Sequence, residues 1–377
     1  MATKYIYTLE DLLNLEQFSR LKFKDEFNQS IDGIDLKNVT SLIFGRDFNQ
    51  SIDGVDLKNL IHLTFGHYFN QSIDGVDFKH VTQLIFRYSF NHSLDGVNLK
   101  NVNHLTFGSN FNQSIDGVDL KNVTHLTLGC DFNQSINGVD LKNVTHLTFG
   151  TCFNHNLNDV DFKNVTHLIL GWSFNQSLDD VDFKNVTHLT LGRNFNQSLN
   201  WVNFQNITHL TLGYHFNQPL DNVDFLNITH LAITGKFNSS LDYVDFKEIT
   251  HLKLGNFFNQ SLDKVNFKNI TYLKLGNHFN QDIADHVFLD REVVLPINYY
   301  QNPIRLIKNG NLPMFTGDKI YNSAECPVCG ESSEMIALTC GHVFCRGCIL
   351  ESVNQNMTFC GICRASNVQY YKLPNGY

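Results

Sequence analysis

A strict 21-residue period constrains the fold of this chain more than any other feature. Each period begins with the pair Phe-Asn, which occurs thirteen times without an insertion, at Phe27, Phe48, Phe69, Phe90, Phe111, Phe132, Phe153, Phe174, Phe195, Phe216, Phe237, Phe258 and Phe279. A constant period of this length predicts one structural coil per repeat, because a single unit buries its apolar face only by stacking on its neighbours.

The pattern within one period predicts strands and turns. Residues 111–131 read FNQSIDGVDLKNVTHLTLGCD, with apolar residues at positions 1, 5, 8, 10, 13, 16 and 18, counted from the Phe. Leu126 and Leu128 alternate with Thr127, which predicts a strand with the leucines inward. Val118 and Leu120 alternate in the same way and predict a second, shorter or irregular strand. No helical period fits a repeat so rich in Gly, Asn and Asp, so the coils are expected to be mostly β and turn.

Three constant columns have structural explanations. The Phe side chains at position 1 are expected to stack as a buried spine, and the Asn side chains at position 2 to bond neighbouring backbone as a ladder. Gly at position 19, as in Gly108, Gly129 and Gly150, is expected to be a turn residue.

A histidine column at position 15 is expected on the outward face of the strands, with about 4.8 Å between neighbours. A row of this kind could bind metal ions or sense pH, because protonated neighbours repel each other. A solvent-facing polar row copied by duplication is the favoured interpretation, since catalytic histidines need a positioned partner and a pocket. The column comprises His62, His104, His125, His146, His167, His188, His209, His230 and His251.

Positions 20 and 21, directly after each strand, vary more than the rest of the repeat. They include Trp172, Arg193 and Tyr214, and aromatic residues and Arg are the typical hot spots of protein interfaces. These three residues are therefore predicted to bind a protein substrate; the alternative is sequence drift at an exposed turn.

The C-terminal region contains a second informative pattern, Cys-x2-Cys-x10-Cys-x-His-x2-Cys-x2-Cys-x11-Cys-x2-Cys. Eight soft ligands in closely spaced pairs predict two tetrahedral Zn²⁺ sites. A disulfide framework is the alternative, but seven cysteines leave one unpaired. The predicted ligands are Cys326, Cys329, Cys340, His342, Cys345, Cys348, Cys360 and Cys363.

This ligand order resembles the C3HC4 RING finger. The resemblance implies that Cys326, Cys329, Cys345 and Cys348 hold one zinc ion, and that Cys340, His342, Cys360 and Cys363 hold the other. It also implies a shallow groove for a ubiquitin-conjugating enzyme (E2), which matches Val328, Ile349, Leu350 and Val353 in this sequence. Arg364 matches the position of a cation that contacts both ubiquitin and the E2. Gly361 departs from the family, which usually has proline at this place.

The repeats resemble the FNIP family of leucine-rich-repeat-like units, which is abundant in social amoebae and their giant viruses. Residues 216–220, FNQPL, fit the FNxPI pattern most closely, and the resemblance covers about 18–280. The expected fold is mostly β: an LRR-like β-solenoid of about thirteen coils, followed by a small zinc-stabilised α+β RING domain. An FNIP array joined to a C-terminal RING finger resembles proteins of giant viruses.

The boundaries between the parts follow from changes in pattern. Residues 1–17 are expected to form an N-terminal cap, with a short helix near 9–17 that begins at a capping box of Thr8 and Asp11. The solenoid is expected at 18–282, a C-terminal cap and linker with three prolines at 283–322, and the RING finger at 323–377.

Composition limits the class of partner. The formal net charge of −9 and the pI near 6.0 argue against nucleic acid and anionic membranes. Residues 1–13, MATKYIYTLEDLL, lack the apolar core expected of a signal peptide, and no 18-residue apolar run is present to span a bilayer. Cys130 and Cys152 are expected to be free thiols, which favours a reducing compartment, the cytosol or nucleus of the producing or infected cell.

These observations predict a RING-type E3 ubiquitin ligase that contains two zinc ions and binds a ubiquitin-charged E2 and a protein substrate. No residue is expected to act as a covalent catalyst, so transfer would occur directly from the E2 by proximity. The alternative is a non-catalytic scaffold or decoy that binds a host protein and uses the RING finger to dimerise.

Overall fold

The computed structural model describes residues 3–281, 283–288, 291–296, 325–330, 334–355, 360–366, 368 and 370–372. Two compact units are present, one formed by 1–234 with 247–249 and the other by 235–246 with 250–377. The predicted boundary at residue 282 lies outside the described residues, as do residues 289–290 and 297–322 of the predicted C-terminal cap and linker. Within these residues, no helix has both the length and the apolar character needed to cross a membrane.

Parallel strands recur once per 21 residues from β2 onward in the first unit, and each pairs with the next strand along the chain. The pairing is in register, so that the same repeat position faces itself in the next coil, as in His125 opposite His146. The strands are β1 (Thr3–Ile6), β2 (Arg20–Phe23), β3 (Ser41–Ile43), β4 (His62–Thr64), β5 (Gln83–Ile85), β6 (His104–Thr106), β7 (His125–Thr127), β8 (His146–Thr148), β9 (His167–Ile169), β10 (His188–Thr190), β11 (His209–Leu212) and β12 (His230–Ile233).

The second unit contains further parallel strands of the repeat region and the C-terminal zinc-ligand region. Strands β13 (His251–Lys253), β14 (Tyr272–Lys274) and β15 (Glu292–Val294) pair in order. The C-terminal region has a three-stranded antiparallel sheet in the order β17-β16-β18 and one α-helix. These elements are β16 (Met335–Leu338), β17 (Val343–Cys345), α1 (Arg346–Asn354) and β18 (Tyr370–Lys372).

The predicted fold class, a mostly β solenoid followed by a small zinc-ligand domain, is confirmed. Strands β1 and β15 extend the parallel pairing beyond the repeats at both ends. The predicted second strand is wrong, because Val118 and Leu120 are buried but have no strand pairing. Their segment is closed by turns instead, with the Val118 N–H on the Ile115 carbonyl and the Val123 N–H on the Leu120 carbonyl.

The helix expected near 9–17 is a single 3-10 turn at Leu9–Leu12. Its start was predicted correctly, since the Asp11 carboxylate accepts the Thr8 N–H at 3.0 Å. Asn14 then takes a left-handed conformation with φ of 56°, which no continuing right-handed helix adopts.

The Phe spine is confirmed. Phe132 is fully buried, and its ring lies 6.2 Å from the rings of Phe111 and Phe153, at interplanar angles of 3° and 15°. The same stacking recurs along the column in both units. Each coil therefore contributes one ring to a continuous apolar column, which is how a 21-residue unit with little core of its own becomes stable.

The Asn ladder is confirmed as well. The Asn133 N–H donates to the Asn112 side-chain oxygen at 2.9 Å, and the Asn154 N–H donates to that of Asn133 at 3.0 Å. A second ladder, which was not predicted, lies at position 12, where the Asn143 amide donates to the Lys121 carbonyl of the preceding coil. These side-chain hydrogen bonds satisfy backbone N–H and carbonyl groups in the turns, which have no partner from strand pairing.

Position 19 is glycine in most coils for a steric reason, although Arg87 and Thr234 occupy it in two coils. A Cβ on Gly150 would lie 1.8 Å from the Gly129 carbonyl oxygen of the preceding coil. At Gly150 the successive turns therefore approach too closely for a side chain, which supports the prediction of a turn residue. This tight stacking aligns positions 20 and 21 of successive coils on one surface, which we call the turn edge.

Candidate metal centre and adjacent groove

The first ligand group combines two chain segments. A turn closed by the Gly330 N–H on the Cys326 carbonyl, at 2.8 Å, presents Cys326 and Cys329. Cys345 ends β17 and is the N-cap of α1, where its sulfur accepts the Cys348 N–H at 3.4 Å. The Cys329 and Cys345 sulfurs are 3.4 Å apart. The helix start thus holds two ligands and stabilises negative charge on one of them.

The second group is built by the β16–β17 hairpin and a C-terminal turn. The Leu338 N–H donates to the His342 carbonyl at 2.8 Å, and Gly341 turns the chain with φ of 83°. The Cys340 sulfur lies 3.5 Å from Nδ1 of His342. The Cys360 sulfur accepts the Ile362 N–H at 3.4 Å, in the turn that also carries Cys363.

The two groups contain the ligands in the interleaved order that the RING resemblance implies. The ligand atoms of Cys326, Cys329, Cys345 and Cys348 lie within 4.8 Å of one another, and so do those of Cys340, His342, Cys360 and Cys363. Zinc–sulfur bonds of about 2.3 Å place sulfurs at the corners of a tetrahedron about 3.8 Å apart, whereas a disulfide needs about 2.0 Å. The two groups therefore suit two zinc ions.

Burial opposes free thiolates at three of the ligand cysteines, whereas backbone N–H donors outweigh burial at Cys326, whose pKa is lowered to about 6, and also lower the pKa of Cys363. Burial raises the pKa of the Cys340 thiol to about 12, and the Cys360 and Cys363 side chains act in the same direction. Burial also raises the pKa values of Cys345 and Cys348. A bound cation would compensate the buried negative charge, so metal binding here is coupled to thiol deprotonation and to folding.

The core around the ligands is small. Cys326, Cys345 and Cys360 are at most 2% exposed and pack with Ile336 and Phe344. A domain of this size buries too little apolar surface to be stable alone, so its ligand groups contribute to its folding.

A shallow groove of about 280 Å³ lies beside these ligand groups. Its lining is mostly apolar and comes from the turn that carries Cys326 and Cys329, from β16, β17, α1 and β18, and from the segment between α1 and β18. The lining residues are Val328, Leu338, Phe344, Cys348, Ile349, Glu351, Ser352, Gly361, Val368 and Tyr370.

The structure places two of the five predicted E2-contact residues in this groove. Val328 is 69% exposed, while Ile349 is 4% exposed and lines the floor. Leu350 is half-buried against the core, and Val353 is buried within it. Arg364 is exposed, with φ of 59°, and is not among the lining residues. E2 contact by these residues stays a prediction.

Sequence reasoning missed Leu338, Phe344, Val368 and Tyr370 as groove residues. Leu338, Phe344 and Tyr370 lie on β16, β17 and β18, and the antiparallel pairing of β16 with β17 and β18 brings them together; Val368 lies just before β18. Gly361 is also in the lining, where a Cβ would lie 4.0 Å from the Phe344 ring. The departure from proline at Gly361 therefore leaves space in the groove.

The histidine column is a stack of rings. Neighbouring rings from His104 to His230 lie 4.2–4.3 Å apart and within 13° of parallel. The Thr145 hydroxyl donates its one proton to the Thr124 carbonyl at 3.1 Å and lies 2.9 Å from Nδ1 of His146. Nδ1 therefore carries the proton, and Nε2 is left as the acceptor.

This stack does not form a chelating site. Rings that are nearly parallel aim their Nε2 lone pairs in one direction rather than at a common ion. Among the described residues, the groups of three or more potential metal ligands are the two C-terminal ones. Burial, followed by the charge of neighbouring histidines, lowers the pKa values of His125, His146 and His167.

The three predicted substrate-binding residues are brought together on the turn edge. The Arg193 guanidinium lies 5.4 Å from the centroid of the Trp172 ring and 4.8 Å from that of Tyr214. Trp172 is 59% exposed. Their position is consistent with a binding surface.

Comparisons with known proteins agree with these two parts. Residues 324–364 match the family model of the ring finger domain. The solved crystal structure of CroV588, described as a novel circular LRR protein, is similar with a TM-score of 0.63 and 34% identity, over 75% of this chain and 46% of that chain. The chain thus spans less than half the length of that protein. A comparison with curated proteins gives no match. The chain therefore combines a parallel β-solenoid similar to a solved LRR protein with a C-terminal region that matches the RING finger.

Proposed function

We propose that this protein is a RING-type E3 ubiquitin ligase. The observation that carries the proposal is the apolar groove beside the two zinc-ligand groups, which is lined by Val328, Ile349 and Gly361. Its mostly apolar lining supports docking of an exposed apolar loop of a charged E2. Two zinc ions at these groups would hold the walls of the groove in place, and because each would take four protein ligands, neither would offer an open position to substrate.

The proposed chemistry takes place on the E2. A lysine amine of the substrate attacks the thioester carbonyl, an isopeptide bond forms, and the E2 cysteine leaves as a thiolate. No covalent intermediate forms on this chain. The protein accelerates the transfer by holding the charged E2 and the substrate at high effective concentration.

The solenoid is proposed to recruit the substrate through its turn edge. The exposed aromatic and cationic stack of Trp172, Arg193 and Tyr214 supports this assignment, since such residues dominate binding energy at interfaces. We further propose that the repeats are of the FNIP type, that the protein is of giant-virus origin, and that it acts in the cytosol or nucleus.

A reconstituted reaction with E1, a panel of E2 enzymes, ubiquitin and ATP tests the proposal. Val328→Arg places a charge at the rim of the groove and is expected to abolish ubiquitin chain formation with zinc content unchanged. Ser366→Arg is the matched control, because Ser366 is exposed and does not line the groove. No chains from wild-type protein with two bound zinc ions would favour the scaffold instead.

A further inference from the structure

The turn edge contains one arginine whose surroundings differ from those of its equivalents. Trp172, Arg193 and Tyr214 occupy position 20 in three consecutive coils. The guanidinium of Arg193 lies between the two aromatic rings, at 5.4 Å and 4.8 Å from their centroids. Its Cζ atom is therefore within cation–π distance of both rings.

An arginine that stacks between two rings can still donate hydrogen bonds from the N–H groups at the edge of its guanidinium. The N–H donors of arginine lie in the plane of the group, so rings over the faces do not block them. The rings also restrict the side chain before a ligand arrives, which lowers the entropy lost on binding. A group that presents two coplanar acceptor oxygens, such as a carboxylate, fits this edge in bidentate fashion.

Arg46, which occupies the same repeat position as Arg193, forms an ion pair within its own coil. Its Nε lies 2.9 Å from the carboxylate of Asp47, the next residue of its own coil. At the corresponding place, Arg193 is followed by Asn194, and Arg193 forms no ion pair within the described part of the chain. Positions 20 and 21 from Thr151 to His215 contain no acidic residue.

The net charge of the chain and the single arginine of the stack favour one carboxylate over a polyanion as the ligand. The chain has a formal net charge of −9, so a long polyanion such as nucleic acid would be repelled, and it would need several cations in a row to bind. One stacked arginine between two aromatic rings suits a single carboxylate flanked by an apolar side chain. A short acidic segment of a protein supplies both the single carboxylate and the neighbouring apolar side chain.

We propose that the Trp172–Arg193–Tyr214 stack binds an Asp or Glu side chain within an acidic segment of the protein substrate. The carboxylate pairs with the edge of the guanidinium, and a neighbouring apolar residue packs on the exposed Trp172 ring. The proposal rests on the proposed function, because it specifies what the solenoid would recruit.

Selection from a random peptide phage library on full-length protein tests this assignment. Peptides recovered on the wild type are expected to be enriched in Asp and Glu next to an apolar residue. The affinity of a fluorescently labelled recovered peptide is expected to fall about ten- to hundred-fold in Arg193→Gln. Arg193→Lys keeps the charge but not the planar fork, so it is expected to restore only part of the affinity.

Arg46→Gln is the matched control and is expected to leave peptide affinity unchanged, and far-UV circular dichroism shows that each variant is folded. Recovery of no peptide, of peptides without acidic enrichment, or of peptides that bind Arg193→Gln as tightly as wild type would overturn the proposal. Peptide binding needs no E2, so a wild type that binds acidic peptides but builds no ubiquitin chains would refute the ligase function alone.

Discussion

The Phe spine makes a quantitative prediction about stability. Phe153 is fully buried, and its ring contacts Phe132 and Phe174 at 6.2 Å and Phe149 at 3.9 Å. Phe153→Ala removes the ring from a column in which rings above and below prevent collapse. Phe-to-Ala substitutions in a core lower the free energy of unfolding by about 3–5 kcal/mol, and the loss is expected near the upper end of this range where the surrounding residues cannot relax into the cavity.

Phe149→Leu is the matched control in the same coil. Leucine already occupies this repeat position in the two adjacent coils, as Leu128 and Leu170, where it is 2% exposed. The exchange nearly conserves volume and is expected to cost less than about 1.5 kcal/mol. The contrast therefore separates the Phe column from apolar burial in general.

Guanidinium denaturation of the full-length protein, followed by far-UV circular dichroism with zinc present, measures both variants. Phe153→Ala is expected to lower the midpoint of the solenoid transition strongly and Phe149→Leu only slightly. Because each coil is stabilised by its neighbours, loss of a central ring is also expected to broaden the transition into separate segments. Equal midpoints for the two variants would refute the role of the Phe column.

Three further predictions concern the histidine column, the coil register and the groove. Folding lowers the pKa values of His125, His146 and His167. Below pH 6.5, the approximate pKa of these histidines in the unfolded chain, the unfolded chain therefore binds more protons than the folded chain. The free energy of unfolding is thus expected to have its full value above about pH 6.5 and to fall between pH 6.5 and 5. Triple substitution by Gln, which the column already contains at Gln83, should flatten this dependence, and unchanged pH dependence would contradict the assignment. The exposed Cys130 and Cys152 are on adjacent coils, where the Cys152 N–H donates to the Cys130 carbonyl at 2.7 Å. Oxidation with diamide is expected to join them in a disulfide that mass spectrometry detects. If no disulfide forms, the pairing register of these two coils is wrong. Gly361→Pro should fill space beside Phe344 and raise E2 affinity roughly fivefold in a calorimetric titration, as burial of about one methylene group implies. Unchanged affinity would contradict the assignment of the groove as the E2 site.

Much of the solenoid was predictable because its period makes every coil an equivalent environment. Leu126 alternates with its neighbours as a strand residue does, and the Phe and Asn columns can be satisfied only by their own copies in adjacent coils. Val118 and Leu120 have the same alternation but form turns, since alternation reports burial and not strand pairing. The identical spacing of the two patterns gave no means to tell them apart.

The C-terminal site was predictable in its ligands but less so in its groove. The spacing of Cys340, His342 and their partners identifies metal ligation, whereas their division into two groups came from resemblance. Phe344 and Tyr370 are far apart in sequence and face the groove only through the β17-β16-β18 sheet. Val353, predicted on the surface, is part of the core, because the start of α1 is fixed by Cys345 as its N-cap and this sets which helix face turns inward.

The central claim is that the zinc-stabilised groove promotes ubiquitin transfer from an E2. Single-turnover discharge of a ubiquitin-charged E2 to free lysine measures this step without any substrate protein. The wild type is expected to accelerate discharge at least tenfold with one or more E2 enzymes, and Val328→Arg to reduce the rate to that of the E2 alone. Wild-type protein with two bound zinc ions that leaves the discharge rate of every E2 unchanged would contradict the account.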